Sequence, residues 1–183
     1  MTMADGDRRL LLQIARDAIT AHVTGTPPPE PATTGAAARH GGAFVTLHSH
    51  GELRGCIGHV EADEALGPTI ARCAVAACSS DPRFPAVTAG EIAGLDIELS
   101  LLGGLEPILG VDEIEIGRHG LVVEMGWHRG LLLPQVATEW NWDREAFIAH
   151  ACQKAGLPRD AWKRGAKLWR FEAEVFGERQ EQT

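Results

Sequence analysis

Two pairs of short extended runs, each pair joined by a turn, constrain the fold of this chain more than any other feature. Residues 43–48 alternate and are rich in aromatic and β-branched side chains, His50 and Gly51 supply a turn, and residues 53–59 resume the extended pattern. Residues 120–125 and 130–134 repeat this arrangement around the tetrapeptide 126–129. The sequence therefore predicts two β-hairpins, each of which pairs its strands antiparallel.

Helical and strand patterns surround these hairpins without strict alternation. Apolar spacing and capping residues predict three helices: one from Asp7, as N-cap, to near His22, one from about Gly67 to Cys78, and one from Asn141 or Asp143 to about Gly156. Alternation predicts two further strands, at 95–101 and 169–175. This order favours an α+β fold with a mostly antiparallel sheet and flanking helices.

Composition limits both the number of domains and the classes of partner. At 183 residues we expect a helix over 1–23, a Pro-rich mobile loop over 24–42, a single domain over 43–177 and a tail over 178–183. A net charge of -8 argues against nucleic-acid binding. No apolar run approaches the ~20 residues of a membrane span. Four cysteines without a Cys-x-x-Cys pair indicate reduced thiols and a cytoplasmic protein.

The hexapeptide Leu53 to Gly58 is the strongest candidate for a functional site. Gly55 and Gly58 give up side-chain packing inside a predicted strand, which indicates a need for open backbone. Alternation along the strand places Arg54 and Cys56 on one face, where the cation would lower the pKa of the thiol. Cys56 is therefore predicted as a reactive group and Arg54 as its partner. The alternative is a tight strand crossing that admits only small residues.

Two familiar roles for such a cysteine find less support. A Cys-His arrangement would use His48 or His59 as base, and a metal site would gather His48, His50, Cys56 and His59. No local spacing matches a zinc finger or ribbon, and strand and turn positions need not converge. The sequence therefore predicts neither a native metal nor a cofactor.

Other residues extend the candidate site or suggest a contact surface. Arg83, fixed between two prolines, suits recognition of an anionic group or an ion pair with Glu98 or Asp81. Gln135, after a proline, is a further candidate for substrate binding. Trp127, at the tip of the second hairpin, suggests an interface with another protein. Cys73 and Cys78 are predicted to be buried structural residues.

Several of these stretches together resemble the family of the protein encoded in the Alport syndrome, midface hypoplasia and elliptocytosis chromosomal region. Its prokaryotic members are called AmmeMemoRadiSam system protein A. The resemblance runs from about Ala43 to Phe176 and rests on the segments 42–47, 53–58, 81–85, 131–137 and 154–157. The run Leu-Arg-Gly-Cys-Ile-Gly is the signature hexapeptide of that family. His59 departs from the family, which often has threonine there.

The resemblance implies two unequal lobes, with the hexapeptide lining a cleft between them. It also implies association with a Memo-type protein and a radical S-adenosylmethionine enzyme, but no particular reaction. Our leading hypothesis is an enzyme that acts on a small anionic or carbonyl-bearing metabolite. In this hypothesis Cys56 is the reactive group and Arg54 lies beside it. The substrate is bound by Gly55, Gly58, Arg83, Glu98 and Gln135. The alternative is a non-catalytic partner module that docks those enzymes.

Overall fold

The computed structural model describes residues 3–179, which form helices, strands and short 3-10 turns. The helices are α1 (Asp5–Thr24), α2 (Leu66–Ser79), α3 (Pro134–Glu139) and α4 (Arg144–Lys154). The strands are β1 (Ala43–Ser49), β2 (Glu52–His59), β3 (Leu95–Leu102), β4 (Glu106–Ile108), β5 (His119–Met125), β6 (His128–Leu132) and β7 (Lys167–Gly177). The strand pairs β1–β2, β1–β3, β4–β7, β5–β6 and β5–β7 are antiparallel, so the α+β prediction is confirmed.

The chain divides into two compact units. Unit 1 comprises the described residues up to Leu102 together with those from Glu174 onward, and unit 2 comprises Gly103–Ala173. Strand β7 belongs to both, because its first seven residues lie in unit 2 and its last four in unit 1. Each unit has its own cluster of buried apolar side chains, as a stable compact unit requires.

In unit 1, the hairpin β1–β2 continues through β3, which pairs with the other edge of β1. The inward residues of β1 and β3, among them Val45, Leu47, Ile97 and Leu99, are fully buried in the same cluster as α1 and α2. Alternation therefore leaves the intervening residues of these strands on the opposite face. That face carries the candidate site.

In unit 2, β5 pairs with β6 on one side and with β7 on the other, while β4 also pairs with β7. Helix α4 buries Phe147, Ile148 and Ala151, as its sequence pattern predicts, and Asp143 is its N-cap, accepting a hydrogen bond from Ala146 N at 2.8 Å. Both predicted hairpins are confirmed. No helix among residues 3–179 is long and apolar enough to cross a membrane.

Several predicted boundaries differ from the structure. Helix α1 begins at Asp5, after Ala4, so Asp7 lies in the first turn, where its charge interacts favourably with the helix dipole, and is not the N-cap. The segment predicted as a mobile loop contains a 3-10 turn, Gly35–Ala38, whose Ala36 and Ala37 are buried. Glu178, in the predicted tail, accepts hydrogen bonds from Arg16 and from Ile97 N. Residues 180–183 of that tail lie outside the described residues.

Short elements account for the remaining differences. The sequence pattern predicts three longer helices and misses the six-residue α3, which begins at Pro134, a first-turn position where the missing N–H costs nothing. It also missed β4, whose three residues are too few to show a period.

Candidate functional site

A thiol, a hydroxyl and a carboxylate lie side by side across three strands of unit 1. Thr46 of β1 is directly opposite Cys56 of β2 on one side and Glu98 of β3 on the other. Side chains at directly opposed positions have Cβ atoms about 4.5–5.5 Å apart. The structure therefore brings two of the predicted site residues, Cys56 and Glu98, together through Thr46.

The Cys56 thiol is half-buried and accepts a hydrogen bond from Thr46 Oγ1 at 3.4 Å. Burial is the largest influence on its pKa and raises it above the usual value of a cysteine. The Thr46 hydrogen bond and the charge of Arg83 act in the opposite direction, whereas Asp81 and Glu98 raise the pKa further. The resting side chain at neutral pH is therefore the thiol.

Asp81 and Arg83 hold the backbone of Cys56 at the free edge of β2. Asp81 Oδ2 accepts a hydrogen bond from Cys56 N at 2.9 Å, and Arg83 Nη2 donates to Cys56 O at 3.3 Å. The two side chains also bond to each other, through Arg83 Nε and Nη2 at 2.9 and 2.7 Å. Together they occupy the polar backbone groups that a neighbouring strand would otherwise take.

The two side chains of this pair differ sharply in exposure. The side chain of Asp81 is 2% exposed, and that of Arg83 is 53% exposed. The hydrogen bonds from Arg83 are the largest influence on the pKa of the Asp81 carboxyl and hold it well below its usual range. Asp81 is thus an anion fixed inside the protein, while Arg83 presents part of its guanidinium group to solvent.

Arg54 does not lie beside the thiol, because β2 contains a bulge. Leu47 pairs with Gly55 and His48 with Leu53, so Arg54 has no partner in β1. Its guanidinium group instead donates to Glu91 Oε1 at 2.9 Å and to Pro85 O at 2.8 Å. The prediction that Arg54 neighbours Cys56 is therefore wrong, and Arg83 is the cation that acts on the thiol.

The ion pair of Arg54 has a structural consequence of its own. Hydrogen bonds from Arg54 are the main reason that the pKa of Glu91 falls to about 2. The same Glu91 carboxylate accepts a hydrogen bond from Thr88 N at 2.8 Å, which forms a capping box with Thr88 as the N-cap. Arg54 thus ties β2 to the segment after Pro85.

Close packing accounts for both glycines of the hexapeptide. A Cβ atom at Gly55 would overlap the carbonyl oxygen of Ala77 in α2, and one at Gly58 would overlap the ring of Phe44. These approaches favour the alternative in which the strand admits only small residues at these positions. A role of Gly55 and Gly58 in substrate binding stays a prediction.

The predicted histidines lie in separate surroundings. His59 Nε2 is 2.8 Å from Asp63 Oδ1, and His50 has the positive φ of a turn residue, 53°. Between residues 3 and 179, no group of three or more His, Cys, Asp or Glu side chains is arranged to hold a metal ion. Cys73 and Cys78 are buried as predicted, and burial raises the pKa of Cys73 to about 11.

Gln135 and the tryptophans belong to unit 2. Gln135 lies in the first turn of α3, and its buried Oε1 makes no hydrogen bond to a described residue. Trp127 is fully exposed between β5 and β6, as predicted. Trp140 is 67% exposed and stacks on Trp142, which in turn stacks on His150 with ring centroids 3.8 Å apart.

Sequence reasoning missed Thr46 and gave Asp81 only a minor part. Thr46 has the same parity as Phe44 in an alternating run, so its place on the outer face was available from the pattern. The pattern could not show that Thr46 lies opposite Cys56, because that pairing depends on the bulge at Arg54. Asp81 is far from Cys56 in sequence, and only folding brings its carboxylate to the edge of β2.

Fold and site together define an α+β protein with a half-buried thiol at a sheet edge, clamped by an Asp-Arg pair. A comparison with known protein families identifies the family to which this class of protein corresponds. The family model AMMECR1 matches residues 12–176, and the chain belongs to that family. The resemblance drawn from the hexapeptide is therefore confirmed.

Relatives of this chain occur in archaea. A protein of Methanothermobacter thermautotrophicus is 43% identical over 183 residues, covering 93% of each chain. One from Methanocaldococcus jannaschii is 46% identical over 146 residues, covering 75% of this chain and 73% of its own. The crystal structure of an uncharacterized protein from Pyrococcus horikoshii superposes with a TM-score of 0.91 at 38% identity, covering 97% of this chain and 94% of that one.

Proposed function

We propose that this chain is a cytoplasmic enzyme that acts on a small anionic or carbonyl-bearing metabolite at the face around Cys56. The row Cys56, Thr46 and Glu98 carries the proposal. It combines a thiol, a hydroxyl that can pass a proton and a carboxylate that can accept one, which are the parts that nucleophilic and general acid-base catalysis use. The protein would work in one system with a Memo-type protein and a radical S-adenosylmethionine enzyme.

In the proposed mechanism, the proton of the thiol passes to Glu98 through the Thr46 hydroxyl. Thr46 Oγ1 donates to the sulfur in the resting arrangement. If the hydroxyl rotates, it accepts the proton from Sγ and passes its own to the Glu98 carboxylate, which leaves a thiolate and a neutral carboxylic acid. Because burial raises the pKa of Cys56, this transfer would accompany substrate binding rather than precede it.

Arg83 takes the role of the cation beside the thiol, which the sequence pattern predicted for Arg54. Its Nε and Nη2 are committed to Asp81, whereas Nη1 makes no hydrogen bond to a described residue and the side chain is 53% exposed. It can therefore bind an anionic group of the substrate next to the sulfur. Cys56 N points away from β1 toward Asp81, so Gly58 N, two residues along β2, points outward as well and can stabilise developing negative charge.

An untargeted metabolite assay tests the enzymatic proposal. Purified protein and Cys56→Ala are incubated with a cell extract supplemented with the two partner enzymes, and mass spectrometry follows every metabolite. We expect a compound with a carboxylate, phosphate or carbonyl group to be consumed by the wild type and not by the variant. Identical metabolite profiles for the two proteins would overturn the proposal.

The chemistry of the row is tested separately by the rate of Cys56 alkylation against pH. The inflection should lie above the free-thiol value of about 8.5 and move higher still in Thr46→Val, which loses the hydrogen bond to sulfur. Arg54→Ala is the matched control and should leave the profile unchanged. An inflection below the free-thiol value, or one that Thr46→Val does not move, would contradict the assignment.

The second candidate is a partner module, and exposure of Trp127 favours it. The side chain is fully exposed at a hairpin tip whose next residue, His128, lies 3.2 Å from Ala155 O through Nδ1, so the tip is held in place. An exposed aromatic on a fixed tip suits a docking contact with a Memo-type or radical enzyme. Trp127→Ala with Arg129→Ala should abolish pull-down of these enzymes, and Trp140→Ala should not. Retained pull-down by the double variant would count against this surface.

A further inference from the structure

Unit 2 contains a cavity of about 750 Å³ that the proposed site does not use. It lies among the 3-10 turn at 111–113, the start of β5 and the facing residues of β4 and β7. Its walls are mainly charged, with five carboxylates against three guanidinium groups, which gives a net charge of -2 when His119 is neutral. A cavity of this size can admit a small molecule.

His119, whose side chain is mostly buried, gives this cavity a hydrogen-bond donor. The residue is 7% exposed and lines the cavity, and its Nδ1 accepts a hydrogen bond from Glu115 N at 3.0 Å. A neutral imidazole that accepts at Nδ1 carries its proton on Nε2. Burial, the largest cause, and the charges of Arg170 and Arg118 lower the pKa of His119, so the neutral form dominates. No residue between 3 and 179 accepts from Nε2.

Two of the three guanidinium groups of the cavity are already hydrogen-bonded, whereas Arg144 Nη1 lies 3.9 Å from Asp112 Oδ1. Arg118 donates to Glu172 at 2.8 Å and to Glu115 at 3.2 Å. Arg170 donates to Glu106 at 3.0 Å and to the carbonyl oxygen of Glu113 at 2.7 Å. At Arg118 and Arg170 an incoming anion would have to displace these carboxylates, whereas a cation would meet carboxylate oxygens whose remaining lone pairs can accept further hydrogen bonds.

We propose that this cavity binds a small organic cation that carries a guanidinium group together with an oxygen acceptor. The cationic group lies against the carboxylates of Glu106 and Glu172, and the oxygen accepts the Nε2 proton of His119. The carboxylate excess supplies the attraction, and the buried donor selects ligands that carry an acceptor at the right distance. Neither feature depends on Cys56, so this site is independent of the proposed activity.

The test is a titration of the ¹⁵N-labelled protein with L-argininamide, followed by NMR. We expect saturable shifts at the amides of residues 113–119 and 170–172. L-citrullinamide, in which a neutral urea replaces the guanidinium group, should bind more weakly by up to about fivefold, the loss expected for one exposed charge pair. Equal binding of the two amides, or shifts confined to unit 1, would overturn the proposal. So would tighter binding of glutarate, since it would show an anion site.

Two variants separate ligand contacts from structural ones. His119→Asn keeps an oxygen that can accept from Glu115 N but loses the Nε2 donor, so the fold should persist while L-argininamide binding weakens. Glu106→Gln with Glu172→Gln removes two exposed charges and should also weaken binding, with little change in stability. Unchanged affinity in both variants would refute the assignment.

Discussion

Replacing Asp81 by Asn should destabilise unit 1 far more than its single changed atom suggests. The Asp81 carboxylate accepts four hydrogen bonds: from Cys56 N at 2.9 Å and from Arg83 N, Nε and Nη2 at 3.1, 2.9 and 2.7 Å. The amide nitrogen of Asn cannot accept a hydrogen bond, so whichever oxygen it replaces, two of the four hydrogen bonds are lost. The amide N–H groups then face the N–H groups that had donated to that oxygen. The fixed negative charge opposite Arg83 is lost as well.

The expected cost is about 2–4 kcal/mol in the free energy of unfolding. Hydrogen bonds to charged groups contribute about 1.5–3 kcal/mol each. The sum for two bonds is reduced because the Arg83 side chain is 53% exposed and regains water when its partner is changed. The loss should appear in urea denaturation as a lower midpoint with an unchanged slope, since the exposed surface of the unfolded chain is the same.

The pH dependence of this stability difference tests whether the negative charge of Asp81 is its cause. The folded-state pKa of Asp81 lies below its unfolded value of about 3.9, so its contribution is complete above that pH and is lost as pH falls through the folded value. The difference between wild type and Asp81→Asn should therefore be constant from pH 7 to 5 and shrink only below about pH 4.

Asp63→Asn provides the matched control for this substitution. Asp63 pairs with His59 at 2.8 Å, but its side chain is 67% exposed, so its replacement should leave the urea midpoint where it is. Equal midpoints for wild type and Asp81→Asn at pH 7 would refute the argument that this carboxylate holds the edge of β2.

Three further substitutions test the packing around the hexapeptide. Gly55→Ala should cost about 1–3 kcal/mol in urea denaturation, because its Cβ would meet the Ala77 carbonyl, whereas Gly90→Ala, with open space, should not. Gly58→Ala should cost a similar amount, and much of that loss should vanish in a Phe44→Ala background, since the ring occupies the space; additive losses would contradict this. Arg54→Lys should lose about 1–3 kcal/mol without moving the alkylation profile of the thiol, and a moved profile would restore Arg54 to the site.

The sequence by itself determined the strands, the main helices and the division of each strand into two faces. Period-2 alternation assigned Ile97 and Leu99 to the core and Glu98 to the other face, because a buried face tolerates only apolar side chains. The family followed from short motifs that keep their order along the chain. Short elements such as β4 were missed because three residues cannot display a period.

Only the tertiary structure decided what surrounds the thiol. Ser49 pairs with Glu52 across the turn, so an unbroken ladder would place Cys56 opposite Val45, on the core face. The bulge at Arg54 shifts the register by one residue, which moves Cys56 opposite Thr46 and turns Arg54 toward Glu91. The bulge accompanies the close approach of Gly55 to α2, and Asp81 and Arg83 reach the strand edge through contacts distant in sequence. Local patterns cannot encode such contacts, since they arise only when the helix and the loop pack against the sheet.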